Sequence, residues 1–216
     1  MCVDFLNLRE TLDIFTKEGI DYLHIDIMDG HYVPNFTLGM DFCKTLSEYT
    51  DIPFDIHLMI NNPDQHVKMF SQFEKAIISF HPETAYHPLG TVHTIKKGGA
   101  HAGIAIDPSI SLQNIEYLLP YIDLLNVMTV NPGYAGQKLI PQMLDKLSSA
   151  ADMISQKGYA IELQVDGNVS WDNIPTMLEA GAQVFVAGTS SIFQKDTDLT
   201  ANIKKFRTLL DPSSSS

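Results

Sequence analysis

The feature that most constrains the fold of this chain is a regular alternation of short β-rich runs with longer segments of helical periodicity. The short runs are Tyr22–Ile27, Phe54–Met59, Lys75–Ser79, Gly103–Ile106, Leu124–Val130, Ile161–Val165 and Val184–Ala187. The helical segments are Leu8–Glu18, Met40–Tyr49, Pro63–Phe70, His87–Lys97, Leu112–Leu119, Met143–Lys157, Trp171–Ala180 and Leu199–Leu210. Strands that alternate with helices in this way predict a parallel sheet covered by helices.

The number of strands favours a closed barrel over an open sheet. Met1–Val3 is interpreted as an eighth strand that is cut short at its start, and eight βα units in 216 residues are typical of a single-domain α/β protein with a (β/α)8 TIM barrel. We expect the barrel to cover residues 1–210 and a flexible serine-rich tail to cover residues 211–216. The alternative is an open doubly wound sheet, but no G-x-G-x-x-G motif follows the first strand.

Composition restricts the partners of the protein. The net charge of −12 argues against nucleic acid or an anionic membrane as a partner. No run approaches the ~18 apolar residues that a membrane span needs, and no secretory leader is recognisable at the start. Cys2 and Cys43 form no C-x-x-C pair and no disulfide framework. We therefore expect a cytoplasmic protein, a homo-oligomer, that acts on a small molecule.

Polar side chains interrupt three of the predicted strands, each close to its C-terminal end. Residues at i and i+2 share one face of a strand. The side chains on that face are His24, Asp26 and Met28, then His57 and Met59, then Glu162, Gln164 and Asp166. The C-terminal strand ends form the catalytic face of a barrel, so two imidazoles and two carboxylates are expected to converge there. They are His24, Asp26, His57 and Asp166, a donor set that suits one divalent ion such as Zn²⁺, Fe²⁺, Mn²⁺ or Co²⁺.

These residues also have ordinary structural interpretations. A single strand histidine such as His57 is more often a structural residue than a ligand, and Asp29 is expected to cap the turn at Gly30. Burying two carboxylates and two imidazoles without a cation would be costly, so the set as a whole favours a metal site. Three methionines either pack in the core or form an apolar floor to the site: Met28, Met59 and Met128. The remaining histidines have no such polar neighbours on a shared strand face: His31, His81, His66, His87, His93 and His101. Four of them are expected on the surface or on helices, namely His66, His87, His93 and His101.

Three glycine-bearing loops follow the last three predicted strands. They are Asn131–Gln137, Asp166–Asn168 and Gly188–Ser190. Glycine lets backbone N–H groups approach an anion, and barrel enzymes often hold phosphate after strands seven and eight. Any one of these loops is best explained as an ordinary tight turn, but three at adjacent strand ends favour a phosphate site.

At these motifs the chain resembles the ribulose-phosphate 3-epimerase family. The matching segments are His24–Asn35, His57–Met59, Val127–Gly133 and Val165–Gly167, and the resemblance covers nearly the whole chain. It implies a metal-dependent isomerase that inverts C3 of a ketose phosphate through an enediolate. Asp26 and Asp166 would be the acid/base pair as well as ligands, beside His24 and His57. The substrate and phosphate would be held by His57, Gly133, Tyr134, Ala135, Gly136, Gly167, Asn168, Gly188 and Thr189.

Within that family, three segments resemble the allulose-6-phosphate 3-epimerase branch. They are Met1–Asp4, His81–Thr84 and Pro132–Gly136. This likeness favours conversion of D-allulose 6-phosphate to D-fructose 6-phosphate, with D-ribulose 5-phosphate to D-xylulose 5-phosphate as the alternative. A serine that the family carries before the Met-Cys of its first strand is absent from this chain as given.

Three other functions compete with the epimerase interpretation. A decarboxylase or aldolase-type barrel would be expected to carry a lysine two residues after the strand aspartate, where this chain has Met28. A non-catalytic sugar-phosphate binding protein would be expected to lose an acid/base carboxylate, and both are present. A metal-free isomerase that uses only aspartate and histidine is distinguished by metal analysis.

Overall fold

A computed structural model describes residues 2–195 and 197–211. Its strands are β1 Leu23–Asp29, β2 Phe36–Thr37, β3 Phe54–Met59, β4 Ile77–Phe80, β5 His101–Ile106, β6 Leu124–Met128, β7 Glu162–Asp166 and β8 Val184–Phe185. Its α-helices are α1 Leu8–Glu18, α2 Met40–Ser47, α3 Val67–Phe70, α4 Pro88–Lys97, α5 Gln142–Lys157, α6 Ile174–Glu179 and α7 Leu199–Leu210. Short 3₁₀ helices cover Phe5–Asn7, Pro63–Gln65, Pro82–Thr84, Leu112–Ile115 and Leu119–Tyr121.

The strands form one curled sheet in the order β2-β1-β3-β4-β5-β6-β7-β8. Every neighbouring pair is parallel except β1 and β2, which are antiparallel. Neighbouring strands lie about 4.8 Å apart, so five steps from β1 to β7 would span roughly 24 Å in a flat sheet. The structure instead brings Nε2 of His24 in β1 within 3.6 Å of Oδ2 of Asp166 in β7. The sheet therefore curls until its two ends approach each other.

The main hydrophobic core lies between the sheet and its helices. Every residue of β3, β4 and β6 is buried, as expected for parallel strands that are covered on both faces. A second, smaller cluster of Met28, Val33 and Met59 lies apart from that core, with Tyr32 packed against it. No helix among the described residues is long and apolar enough to cross a membrane.

The structure corrects the predicted elements in two places. The helix expected at Leu112–Leu119 is replaced by two short 3₁₀ helices, and Pro120 lies in the first turn of the second, where its missing N–H costs no helical hydrogen bond. The predicted helix Pro63–Phe70 divides into a 3₁₀ turn and α3. The other six predicted helices and all seven internal strands are present. The bounds of Leu8–Glu18, Leu199–Leu210 and Phe54–Met59 are as predicted, and the other elements have shifted ends.

The eighth strand of the sheet is not the one that the sequence predicted. Cys2 and Val3 form no strand, and Met1 lies outside the described residues, as does 212–216 of the expected tail. The eighth strand is β2, which is too short to be seen as a periodic pattern and runs antiparallel to β1. Among the described residues β8 has only β7 as a neighbour, so closure of the barrel stays a prediction.

Candidate active site

The four predicted ligands come together at the C-terminal ends of their strands. Each contributes one nitrogen or oxygen atom, and these four atoms lie within 4.8 Å of one another. Register explains the convergence of the first pair, because Asp26 of β1 lies directly opposite His57 of β3 and both side chains share the inner face. His24 lies two residues before Asp26 on that face, and the curl of the sheet brings Asp166 to them from β7.

The spacing of these atoms fits one small cation. Asp26 Oδ1 lies 3.3 Å from His24 Nε2 and 3.5 Å from His57 Nδ1, while Asp166 Oδ2 lies 3.6 Å and 3.5 Å from the same nitrogens. Tetrahedral bonds of about 2.0–2.1 Å would place ligand atoms about 3.3–3.4 Å apart. Both nitrogens are buried and have no hydrogen-bond partner among the described residues. The cluster could therefore hold a divalent ion.

The electrostatics of the cluster also favour positive charge. Burial alone would lower the pKa of His24, but Asp55 and Asp26 outweigh it and raise that pKa well above its ordinary value. Burial likewise would lower the pKa of His57, and Asp166 and Asp26 raise it. Burial would raise the pKa of Asp26, yet the nearby imidazoles of His24 and His57 bring it far below its ordinary value. The site thus attracts either protons or a cation.

Asp55 contacts the His24 ring on the side away from the cluster, and the sequence analysis missed it. Its Oδ2 lies 2.6 Å from His24 Nδ1 and accepts a hydrogen bond from Gln164 Nε2, also at 2.6 Å. His24 Nδ1 then carries the proton, and Nε2 keeps its lone pair for the centre of the cluster. The signal was available in the sequence, because Asp55 precedes His57 by two residues and therefore shares its face.

His81 is the second residue that sequence reasoning misplaced. It was grouped with the histidines that lack polar company, but it is fully buried and its Nε2 lies 2.9 Å from His57 Nε2. Its position directly after β4, at the catalytic edge, was the available signal. The four histidines expected on the surface or on helices are exposed or partly buried: His66, His87, His93 and His101. Asp29 caps its turn as predicted, and its Oδ1 accepts hydrogen bonds from the backbone of His31 and Tyr32.

A cavity of about 540 Å³ opens beside the cluster. The predicted site residues that line it are His24, Asp26, Asp166, Met28, Met59, Met128, Gly133, Tyr134, Ala135, Gly136, Gly167, Asn168, Gly188 and Thr189. His57 does not line the cavity and is fully buried, so it faces the other ligands and not the open volume. The three methionines are almost fully buried while touching the cavity, which makes them both core residues and its apolar wall.

The glycines of two loops adopt backbone conformations that other residues resist. Gly133, Gly136 and Gly167 have φ angles of 115°, 81° and 111°. A Cβ atom on Gly167 would lie 2.6 Å from Val130 Cγ2, so a larger residue would displace the loop.

Asn168 ties the neighbouring loops together. Its Oδ1 accepts a hydrogen bond from the Leu139 backbone at 3.0 Å, and its Nδ2 donates to Ser190 Oγ at 3.1 Å. Because the side chain is occupied by these contacts, any contact of Asn168 with a substrate would come from its backbone.

The loop after β6 packs across the loop after β1. Asn35 Nδ2 donates a hydrogen bond to the Gly133 carbonyl at 2.9 Å, and the Tyr134 hydroxyl donates to the Pro34 carbonyl. Val33 lies under Gly133, with 3.1 Å between its Cβ and the position that a glycine Cβ would take. The loop therefore covers one side of the cavity.

These features define a TIM-barrel-like protein with a cluster of two histidines and two aspartates that could hold a divalent ion. Residues 1–193 match the model of the ribulose-phosphate 3 epimerase family. The ribulose-phosphate 3-epimerase of Escherichia coli K12 is 40% identical over 197 residues, which cover 91% of this chain and 88% of that protein. The corresponding protein of Bacillus subtilis 168 is 38% identical and covers 91% of each chain. This chain therefore belongs to the ribulose-phosphate 3-epimerase family, and it is an isomerase of the epimerase class.

A solved structure agrees on the fold alone. A mutant tryptophan synthase alpha-subunit from the hyperthermophile Pyrococcus furiosus superposes with a TM-score of 0.66 at 13% identity. The match covers 96% of this chain and 92% of that one. At this level of identity the likeness extends to the curled α/β sheet and not to the chemistry.

Proposed function

We propose that this protein is a divalent-metal-dependent 3-epimerase that interconverts D-ribulose 5-phosphate and D-xylulose 5-phosphate. The observation that carries the proposal is the pair of carboxylates, Asp26 and Asp166, placed on separate strands around the same two imidazole nitrogens and open to a cavity beside glycine-bearing loops. The relatives named above are ribulose-phosphate enzymes, which supports the pentulose as substrate.

The chemistry requires a proton to leave C3 of the ketose and another to return on the opposite face. Asp26 approaches the cavity from β1 and Asp166 from β7, so the two carboxylates can serve opposite faces of one carbon. One of them must be ionised when the other carries its proton. A bound divalent ion would supply Lewis-acid stabilisation of the negative charge that develops on the substrate oxygens. His24 and His57 would hold that ion, together with the two carboxylates.

The apolar wall would protect the exchanged proton. Met28, Met59 and Met128 offer thioether and methylene surface with no exchangeable hydrogen, and each is at most 4% exposed. The methionines would keep water away from this side of the reacting carbon, so proton transfer would be confined to the two carboxylates.

The phosphate would be held by backbone N–H groups rather than by lysine or arginine. The chain carries a net charge of −12, and the positive-φ glycines Gly133, Gly136 and Gly167 turn the backbone toward the cavity that Gly188 and Thr189 also line. Such donors add local positive potential without a cationic side chain.

D-allulose 6-phosphate is the second candidate substrate. It is supported by the branch-like segments His81–Thr84 and Pro132–Gly136, while the named relatives do not distinguish this branch. One extra carbon would have to fit between the cluster and the loops, and a single added group typically changes specificity by about 10- to 200-fold.

Metal analysis and turnover on purified protein test the proposal together. We expect about one divalent ion per chain, by analogy with mononuclear four-ligand sites, and kcat/KM values for both sugar phosphates under one metal condition should favour the pentulose. Full turnover by demonstrably metal-free protein would contradict the metal role. A higher kcat/KM for the hexulose would reassign the substrate and leave the epimerase standing.

We further propose that the curled sheet belongs to a (β/α)8 barrel with one more parallel strand position between β8 and β1. The cavity extends between these two strands, where it is lined by Leu23 and Ile25 on one side and by Val184 and Phe185 on the other. A crystal structure in which β8 pairs directly with β1 would contradict this arrangement.

A further inference from the structure

A line of polar side chains leads from the candidate metal site toward the protein surface. His57 Nε2 lies 2.9 Å from His81 Nε2, and His81 Nδ1 lies 3.0 Å from the Tyr32 hydroxyl. That hydroxyl donates a hydrogen bond to Glu83 Oε1 at 2.8 Å. Both imidazoles are fully buried, whereas the Glu83 side chain is 29% exposed. The line therefore has one end at the cluster and the other at solvent.

The outer end of the line fixes the direction of its hydrogen bonds. Burial would raise the pKa of Glu83, but the neighbouring His81 imidazole and the hydrogen bond from Tyr32 lower it, so this residue is a carboxylate that only accepts. Burial and the Glu83 charge raise the pKa of Tyr32, so its hydroxyl keeps its proton and donates it to Glu83. The Tyr32 oxygen is then left to accept a hydrogen bond from His81 Nδ1–H.

The same reasoning extends inward to the cluster. A neutral imidazole carries one proton, so a proton on His81 Nδ1 leaves a lone pair on its Nε2. The 2.9 Å contact between the two Nε2 atoms needs one donor, which must then be His57. With its proton on Nε2, His57 presents a lone pair on Nδ1, the atom that faces Asp26 and Asp166 at 3.5 Å.

We propose that His81, Tyr32 and Glu83 are positioning residues that hold His57 in the tautomer whose Nδ1 can bind a divalent ion. The inference rests on the proposed function, because it assigns this line of side chains to the same metal site. The two imidazoles are oriented by different means. His24 donates directly to the Asp55 carboxylate. His57 donates to the neutral imidazole of His81, which donates to the Tyr32 hydroxyl, and that hydroxyl donates to the Glu83 carboxylate. Partners of this kind usually affect metal affinity about 10- to 100-fold.

The test replaces His81 and measures metal binding directly. In the H81F protein, Zn²⁺ affinity measured by competition with a chromophoric chelator should fall about 10- to 100-fold. The H81Q protein supplies an amide oxygen that can accept from His57 Nε2–H, and it should recover most of that affinity. The matched control is H93F, because His93 is an exposed histidine whose ring packs edge-on against Tyr121, and it should bind Zn²⁺ like the original chain.

A spectroscopic measurement separates positioning from general loss of structure. Nitrogen NMR of the Zn²⁺-loaded protein should show His57 protonated at Nε2, with this pattern lost or mixed in H81F and weakened in E83Q, whose altered residue is partly exposed and should leave the fold intact. Unchanged affinity together with an unchanged His57 tautomer in H81F would overturn the inference and leave the epimerase proposal standing. A protein that binds Zn²⁺ with this tautomer but turns over neither sugar phosphate would overturn the proposed function instead.

Discussion

Replacing Asp55 by asparagine tests how the buried carboxylate behind His24 controls the candidate metal site. The Asp55 side chain is 2% exposed, and one of its oxygens lies 2.6 Å from both His24 Nδ1 and Gln164 Nε2. An asparagine oxygen in that place can accept both hydrogen bonds, so D55N removes the negative charge while keeping the shape. The D55A protein removes the acceptor as well and leaves two buried donors unpaired.

The expected effect of D55N is a loss of metal affinity. The carboxylate stabilises the Nδ1–H tautomer of His24 and makes its Nε2 a better electron donor. Changes at such supporting positions typically weaken metal binding about 10- to 100-fold, which corresponds to about 1.4–2.8 kcal/mol at 1.4 kcal/mol per tenfold change. We expect D55N near the lower end of this range and D55A at or beyond the upper end, because unpaired buried donors add a further penalty.

The assay is competition for Zn²⁺ or Co²⁺ against a chromophoric chelator, with circular dichroism to confirm folding. The matched control is D123N, because Asp123 also pairs with a histidine, His101, but does so on the exposed surface away from the cluster. D123N should bind metal like the original chain. Affinities within twofold for both D55N and D55A, or an equal loss in D123N, would rule out this role for Asp55.

Three further predictions follow from the same site. D26N and D166N should each lose at least ~100-fold in epimerisation rate, the usual scale of general acid–base catalysis. Metal content is measured beside activity. Near-normal turnover by either protein would contradict the assignment of Asp26 and Asp166 as acid and base. Neighbouring carboxylates raise the pKa of His24 and His57 above the ordinary value. Both imidazoles are protonated below that raised pKa, so metal affinity should fall as the pH drops through it. Chelator competition from pH 6 to 9 measures this dependence, and an affinity that does not change with pH would count against it. The loop Asn131–Lys138 should become protected from proteolysis and hydrogen exchange when a substrate analogue binds, and equal protection with and without saturating analogue would exclude closure.

The sequence was sufficient to predict the candidate ligands because their signal is local. His24 and Asp26 stand on one face of a strand by simple alternation, and polar side chains on a parallel strand are unusual enough to be noticed. The C-terminal ends of parallel strands lie at one edge of the sheet, so His57 and Asp166 could be predicted to lie near His24 and Asp26 without knowledge of the strand register.

The supporting residues could not be predicted with the same certainty because their partners are set by tertiary structure. Asp55 matters only because the register of β1 and β3 places it opposite His24. His81 directly follows β4 at the catalytic edge, but its role depends on a contact with His57 from the neighbouring strand. The short strand Phe36–Thr37 has too few residues to show any period, so neither its existence nor its direction could be derived.

In the proposed reaction, two carboxylates beside one divalent ion exchange the C3 proton of a ketose phosphate between the two faces of that carbon. The most direct measurement follows metal-loaded protein with D-ribulose 5-phosphate in D₂O by proton NMR. We predict that D-xylulose 5-phosphate forms and carries deuterium at C3, and that both signals disappear when the metal is removed and return when it is restored. A protein that carries its metal but produces neither the epimer nor deuterium at C3, with either the pentulose or the hexulose phosphate, would contradict the proposed epimerase function.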